Sequence, residues 1–78
     1  MNKTRIYYVY VLRSSVDQNF YVDLTDDLEQ RLIRHNEGRV KSTKFRKPFN
    51  LVHYETFNDS HQARQREKCL KSAMVELH

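Results

Sequence analysis

Glycine, proline and cysteine each occur only once among the 78 residues of this chain. The scarcity of glycine and proline argues against a disordered tail and for a compact fold with short turns. Cys69 has no partner for an internal disulfide, and no CxxC or Cys/His cluster indicates a zinc site. No apolar run approaches the roughly 20 residues of a membrane span, and residues 6–12 are too short and tyrosine-rich for a secretion signal. We therefore expect one cytoplasmic domain, residues 1–78, that does not bind membranes.

Positive charge is what the chain has in excess, with a net charge of +4. Residues 39–47 read RVKSTKFRK, a run that contains five basic residues and no acid. Basic clusters suit phosphate backbones, and the phenyl ring of Phe45 can stack on a base. A solvated surface is the alternative. The predicted nucleic-acid-binding residues are Arg39, Lys41, Lys44, Phe45, Arg46 and Lys47, with DNA as the first candidate partner and RNA as the second.

Three segments have the composition of β-strands. Residues 6–13 are β-branched and aromatic, and residues 20–23 follow a polar turn as an antiparallel partner. Residues 50–56 alternate like a half-buried strand, with Leu51 and His53 opposed to Val52 and Tyr54. The remaining histidines, His53, His61 and His78, show no ligand spacing and are interpreted as incidental.

Two segments have helical periodicity. The first helix is predicted to begin at an N-cap, Thr25 or Asp26, and to end before Gly38, a residue typical of the C′ position. Its buried stripe consists of Leu28, Leu32 and Ile33. The second helix begins after Asp59 or Ser60 and runs to about Ala73. The order β-β-α-β-α predicts an α+β fold with helices packed on an antiparallel sheet.

Glu67 interrupts the apolar stripe of the second helix. A carboxylate buried without a partner there costs several kcal/mol. It must therefore reach the edge of the helix, pair with a nearby arginine or bind a cation. Magnesium is a plausible cation, because it keeps most of its water and takes only one or two protein carboxylates.

Two further pairs of residues have the chemistry of phosphoryl transfer. Arg31 and His35 share one helix face, where a guanidinium can bind a phosphate in bidentate fashion. Tyr10 and Tyr21 lie on strands predicted to pair, and their hydroxyls can shuttle a proton from attacking water. The alternatives are an ordinary surface Arg and His, and core tyrosines with satisfied hydroxyls.

The motifs resemble those of the GIY-YIG nuclease superfamily, most closely its small single-domain bacterial branch. That branch is related to the nuclease domain of the excision-repair subunit that makes the 3′ incision. The resemblance covers about residues 5–73. It rests on YVY at 8–10, FYVDLT at 20–25, DLxxRLxxHN at 27–36, STKFRKPF with LVHYE at 42–55, and ARQREKCLK at 63–71.

The resemblance implies a three-stranded antiparallel sheet flanked by helices and a DNA endonuclease that acts in repair or recombination. It places Tyr10 and Tyr21 at the two motif tyrosines, one of which helps to deprotonate the attacking water. Arg31 would contact the scissile phosphate, and His35 would lie near the nucleophile. Glu67 would be the sole acidic ligand of one Mg²⁺ or Mn²⁺. The two phenols, the Arg31 guanidinium and the Glu67 carboxylate should then converge on a common pocket.

One departure from the family pattern bears on activity. The second motif ends in glycine, but this chain has Asp23, which adds bulk and negative charge beside the site. The acid should repel DNA or recruit extra metal. The sequence therefore leaves two hypotheses, a metal-dependent DNA endonuclease and a nucleic-acid-binding module with a weakened site. A purely structural role is a third and predicts no salt-dependent affinity for DNA.

Overall fold

The computed structural model describes residues 5–76, and its elements follow the predicted order β-β-α-β-α. The strands form a three-stranded antiparallel sheet in the order β2-β1-β3, so the α+β fold is confirmed. No helix in this range is long and apolar enough to cross a membrane. The elements are β1 (Tyr7–Ser14), β2 (Phe20–Thr25), α1 (Leu28–Asn36), β3 (Phe49–Phe57) and α2 (Ser60–Glu76).

The central strand β1 supplies a core to each face of the sheet, because its side chains alternate between the two faces. On one face, Tyr10 and Leu12 are fully buried and pack with Phe49. Helix α1 covers this face through Leu28 and Leu32. This face is called the α1 face below.

The opposite face of the sheet is covered by α2. Val9 and Val11 pack there with Val22 and with Ala63 of α2, and Ala63 has no exposed surface. A residue without a large side chain lets the helix approach the sheet closely at this point. Leu70 continues the apolar contact along α2.

Helix α1 corrects two details of the prediction. Its N-cap is Asp27, not Thr25 or Asp26, because the Asp27 carboxylate accepts a hydrogen bond from the Gln30 amide. Ile33 is 43% exposed and lies outside the buried stripe. Successive residues of a helix are about 100° apart, so the face that holds Leu28 and Leu32 turns Ile33 towards solvent.

The end of α1 agrees with the prediction. Gly38 has φ +77°, the left-handed conformation expected of a C′ residue. The side chain of Asn36 then ties α1 to β3, since it accepts a hydrogen bond from the Phe49 amide and donates one to the Phe49 carbonyl. The intervening segment, residues 37–48, is therefore anchored at both ends.

Strand β3 does not alternate as predicted. Its register against β1 shifts between Val11 and Leu12, whose partners are His53 and Leu51. Val52 is left over in this bulge, so Leu51 and Tyr54 lie on the same face rather than on opposite faces. The bulge brings the Tyr54 ring to the α1 face.

Helix α2 begins directly after Asp59, whose carboxylate accepts a hydrogen bond from the His61 amide. The helix extends to Glu76, three residues beyond the predicted end at Ala73. Arg66 of α2 attaches the helix to the sheet, because its Nε and Nη2 donate hydrogen bonds to the two carboxylate oxygens of Glu55 in β3 and form an ion pair with them.

Candidate active site

The α1 face assembles a phenol, an imidazole and a guanidinium from distant parts of the chain. The Tyr10 hydroxyl lies 3.0 Å from His35 Nε2. Arg31 Nε donates to the same hydroxyl oxygen at 3.3 Å. One strand tyrosine therefore joins two residues that are one turn apart on α1.

Helix packing explains the position of these side chains. Arg31 and His35 follow Leu28 and Leu32 at helical spacing, so the apolar contacts of α1 also turn this pair towards the sheet. His35 has no exposed surface, whereas the Arg31 side chain is 32% exposed. The imidazole is thus sealed in the core, and the guanidinium reaches solvent.

Tyr21 joins the cluster through Asp23. Both project from the α1 face of β2, and Asp23 is the register partner of Tyr10. The Tyr21 hydroxyl donates to Asp23 Oδ2 at 2.9 Å, and Arg31 Nη2 donates to the same oxygen at 3.3 Å. The Leu24 amide donates to the other carboxylate oxygen at 2.8 Å. Asp23 is therefore a member of the cluster and binds both the partly buried phenol of Tyr21 and the guanidinium of Arg31.

The electrostatics of the cluster hold each group in a definite state. Burial raises the pKa of Tyr10, and burial together with the Asp23 charge raises the pKa of Tyr21, so both phenols stay protonated. Burial and the Arg31 charge lower the pKa of His35, which favours neutral imidazole. Burial would raise the pKa of Asp23, but the Leu24 amide, the Tyr21 hydroxyl and Arg31 outweigh it and lower it.

Thr43 is a buried member of the cluster that the motifs did not reveal. Its Oγ1 lies 2.8 Å from His35 Nδ1, and its side chain has no exposed surface. The only trace of this role in the sequence is an uncharged β-branched residue inside the basic run. Thr43 connects the basic segment to the cluster.

Glu67 is a residue of helix α2, on another element from the other predicted site residues. It is 7% exposed and lies between Ala63 and Leu70, two residues that pack against the face of the sheet opposite α1. Its Oε2 forms an ion pair with Lys71 Nζ at 3.1 Å. Within residues 5–76, hydrogen bonds join Tyr10, Tyr21, Arg31 and His35 through Asp23, and none of them reaches Glu67. Its convergence with Arg31 and the two phenols stays a prediction.

The basic segment, residues 39–47, is partly neutralised by neighbours. Arg39 pairs with Glu37 at 3.0 Å, and Arg46 pairs with Asp17 at 2.7 Å. The exposed residues Lys41, Lys44 and Lys47 form no ion pair with any residue that the structure describes.

The Phe45 ring in the same segment is 83% exposed, with Lys44 Nζ 4.9 Å from its centroid. An aromatic ring that is left open among cations suits a stacked base beside phosphate.

The other histidines lie away from this cluster. His53 Nε2 contacts Glu55 at 2.8 Å on the surface of β3, and the His61 ring contacts Gln65 on α2. His78 lies outside the described residues. Among the side chains of residues 5–74, no three of His, Cys, Asp or Glu come together as a metal site.

Comparison with known proteins identifies the family. Residues 6–74 match the family model described as the GIY-YIG catalytic domain. A UPF0213 protein of Staphylococcus saprophyticus is 36% identical over 67 residues, which covers 85% of this chain and 80% of the relative. A UPF0213 protein of Streptococcus pyogenes serotype M3 is 39% identical over 69 residues, which covers 87% of this chain and 74% of the relative. A third, from Haloquadratum walsbyi, is 40% identical over 67 residues, covering 85% and 74%.

No solved structure matches the chain. The family match nonetheless spans nearly all of its length, and it includes both strands and both helices that carry the predicted site residues. The chain belongs to the GIY-YIG family of nucleases.

Proposed function

We propose that this protein is a metal-dependent endonuclease that hydrolyses phosphodiester bonds in DNA, with a role in repair or recombination. The observation that carries the proposal is the hydrogen-bonded set of Tyr10, Tyr21, Arg31 and His35. These four residues come from β1, β2 and α1, and a core needs no such set of polar groups for packing alone. In the overall reaction, water oxygen forms a bond to phosphorus and one ester P–O bond breaks.

Arg31 is the residue that we assign to the scissile phosphate. Tyr10 holds its Nε and Asp23 accepts from its Nη2, so Nη1 has no hydrogen bond to any residue that the structure describes. A guanidinium that is already oriented can stabilise the charge of the phosphoryl transition state without further reorganisation. The partial exposure of Arg31 gives a phosphate access to it.

The two phenols have different roles in this proposal. Tyr10 is fully buried, so it positions Arg31 and does not meet solvent. Tyr21 is only partly buried, and its proton is committed to Asp23. Its oxygen has two lone pairs, and one of them can accept a hydrogen bond from the attacking water. We therefore assign the activation of water to Tyr21.

Glu67 is the residue that we assign to the divalent metal, Mg²⁺ or Mn²⁺. Lys71 approaches only Oε2, and no buried side-chain oxygen in the described range lacks a partner, so Oε1 is open to water. Such a carboxylate fits a metal that keeps most of its hydration. When bound, the metal would supply positive charge to the phosphate and lower the pKa of coordinated water.

The basic segment supplies the affinity for DNA in this proposal. Lys41, Lys44 and Lys47 would neutralise phosphates, and Phe45 would stack on a base. Thr43 in the same segment contacts His35, so DNA bound there lies next to the cluster. RNA has the same phosphate chemistry and is the second candidate substrate.

A binding module without cleavage is the alternative function, and Asp23 is the observation that favours it. Its carboxylate takes up the Arg31 nitrogen and the Tyr21 hydroxyl that the nuclease would use. Negative charge at this position opposes an incoming phosphate. Such a protein would bind DNA through the basic segment but leave it intact.

A plasmid-nicking assay with and without Mg²⁺ separates the two functions. The nuclease proposal expects nicking that needs the metal and is abolished by Glu67→Ala. The exposed acid Glu29 provides a matched control, since Glu29→Ala should nick normally. If the parent does not nick and Asp23→Gly does, the natural protein is a binding module with a disabled site.

A further inference from the structure

The hydrogen bonds around His35 fix where its ring protons must lie. His35 Nδ1 is 2.8 Å from Thr43 Oγ1, and His35 Nε2 is 3.0 Å from the Tyr10 hydroxyl. Both ring nitrogens are thus engaged in a residue with no exposed surface. The proton can be placed from the partners of these two hydroxyls, because each hydroxyl has one hydrogen to donate.

Each hydroxyl has a second neighbour that settles its role. Arg31 Nε can only donate, so the Tyr10 oxygen accepts from it and directs its own hydrogen to His35 Nε2. The Thr43 hydroxyl can donate to the Val40 carbonyl at 3.4 Å, which leaves its oxygen to accept from His35 Nδ1–H. With neutral His35 protonated on Nδ1, each of these four polar hydrogens has an acceptor.

The other two protonation states leave a buried hydrogen without an acceptor. If Nε2 carried the proton, the Tyr10 oxygen would receive one N–H from His35 and another from Arg31. The Tyr10 hydrogen would then have no acceptor among the residues that the structure describes, although the side chain is fully buried. Imidazolium also carries a proton on Nε2, so it too leaves the Tyr10 hydrogen without an acceptor, and it adds a positive charge next to that of Arg31.

We propose that Thr43 is a positioning residue that holds neutral His35 as its Nδ1–H tautomer, and through it orients Tyr10 and Arg31. The hydrogen bonds run in one direction, from Arg31 through Tyr10 and His35 to Thr43. Without the Thr43 hydroxyl as acceptor, the proton of the imidazole can move from Nδ1 to Nε2. The Nε2–H group would then compete with Arg31 Nε for the Tyr10 oxygen. The consequence for catalysis rests on the proposed nuclease function, whereas the tautomer does not.

The site of Thr43 adds a reason why this bond affects function. Thr43 lies between Lys41 and Lys44 in the basic segment, but it is the buried residue of that run. The contact between Thr43 and His35 therefore orients the imidazole and, together with the contacts of Arg46 with Ser14 and Asp17, also holds this segment on the domain. A chain of hydrogen bonds through Thr43, His35 and Tyr10 therefore links the segment that would bind DNA to Arg31, which would bind the phosphate.

Nitrogen-15 NMR of the histidine rings tests the tautomer without DNA. We expect the His35 signals of the parent and of Thr43→Ser to show protonated Nδ1 and unprotonated Nε2. Thr43→Val has the same shape without the hydroxyl, and it should shift the population towards Nε2–H. The exposed His61 is the internal control and should not change. Nε2–H in the parent, or an identical His35 tautomer in Thr43→Val, would overturn the proposal.

Cleavage kinetics test the effect on Arg31. Thr43→Val should lower the cleavage rate by about tenfold or more, as loss of an outer partner of a site commonly does, while Thr43→Ser stays near the parent. The affinity for DNA should hardly change, because no phosphate contact is removed. Equal loss in both variants would overturn the positioning role. If the parent does not cleave DNA at all, the nuclease function fails, and the NMR result alone decides the tautomer.

Discussion

Asp23 accepts a hydrogen bond from Arg31 at 3.3 Å, in the position where the family motif has glycine. The same carboxylate oxygen accepts from the Tyr21 hydroxyl at 2.9 Å. Asp23 therefore already binds Arg31, which we assign to the phosphate, and Tyr21, which we assign to the attacking water. Whether the site cleaves depends on how readily a phosphate displaces this carboxylate from Arg31.

Asp23→Asn should increase the affinity for DNA. The amide retains the shape and can still accept from Tyr21, but the negative charge near the phosphate is lost. We expect Kd to fall about tenfold, a modest gain because the Asp23 side chain is partly exposed. A fluorescence anisotropy titration at low salt measures it. Glu29→Gln removes an exposed acid from α1 and should leave Kd unchanged; an unchanged Kd for Asp23→Asn would contradict the role given to Asp23.

Tyr21→Phe and Tyr10→Phe should fail in different ways. The first should reduce cleavage by about two orders of magnitude with little loss of stability, because a partly exposed hydroxyl is removed from the attacking water. The second leaves buried His35 and Arg31 groups without a partner and should cost about 1–3 kcal/mol of unfolding free energy. Nicking assays and urea unfolding measure the two effects.

Tyr7→Phe is the control for both tyrosine variants, since Tyr7 packs against the core on the opposite face of the sheet. It should retain activity and most of the stability. The division of roles between Tyr21 and Tyr10 is wrong if Tyr10→Phe keeps full stability, or if Tyr21→Phe cleaves at the parental rate.

Glu67→Gln should abolish binding of a divalent metal while keeping the shape of the side chain. Titration with Mn²⁺, followed by its paramagnetic signal, measures binding directly and without DNA. Lys71→Met should strengthen binding, because the ammonium that competes for Oε2 at 3.1 Å is removed. Mn²⁺ binding that is insensitive to both changes would place the metal away from Glu67.

The three lysines of the basic segment that pair with none of the described residues should set the salt dependence of DNA binding. Replacing Lys41, Lys44 and Lys47 with alanine should reduce the slope of log K against log salt by about 0.9 per lost phosphate contact on duplex DNA. Lys68→Ala removes an exposed lysine from α2 and should leave the slope unchanged. Equal slopes for the triple variant and the parent would exclude this segment as the phosphate interface.

Phe45→Ala should weaken binding to single strands more than binding to duplexes. An exposed ring stacks on an unpaired base, and such contacts are worth about 1–3 kcal/mol each. Val16 is a comparable exposed apolar residue, 62% exposed in the β1–β2 turn, so Val16→Ala serves as the control. Equal losses on the two kinds of DNA would argue that the ring does not stack on bases.

His35 should make the folded state sensitive to mild acid. The pKa of His35 is lowered from 6.5 by burial and by Arg31, so the unfolded chain binds more protons in the interval below pH 6.5. Stability from this group is complete above that pH and is lost as the pH falls through the folded pKa. The midpoint of urea unfolding should therefore drop between pH 7.5 and pH 5. His35→Gln should flatten this dependence, whereas His61→Gln should retain the parental drop.

Local pattern was sufficient where a residue's role depends on its neighbours in sequence. The β-branched run of β1, the amphipathic spacing of α1 and the left-handed Gly38 are local properties, and the structure confirms each. The mistakes also have local causes. Thr25, Asp26 and Asp27 all have side chains that can cap a helix, so composition could not select Asp27. The bulge at Val52 changes which face of the sheet the later β3 side chains occupy, and the composition of β3 does not indicate it.

The amino-acid sequence by itself determined the order of elements, the family and the presence of Tyr10, Tyr21, Arg31 and His35, because periodicity and motif spacing are encoded along the chain. Only the tertiary structure decided that Asp23 binds Arg31, that Thr43 closes the cluster and that Ala63 and Leu70 of α2 pack on the opposite face from α1. Those relationships depend on strand register and on the face that each helix covers, and long-range packing sets both.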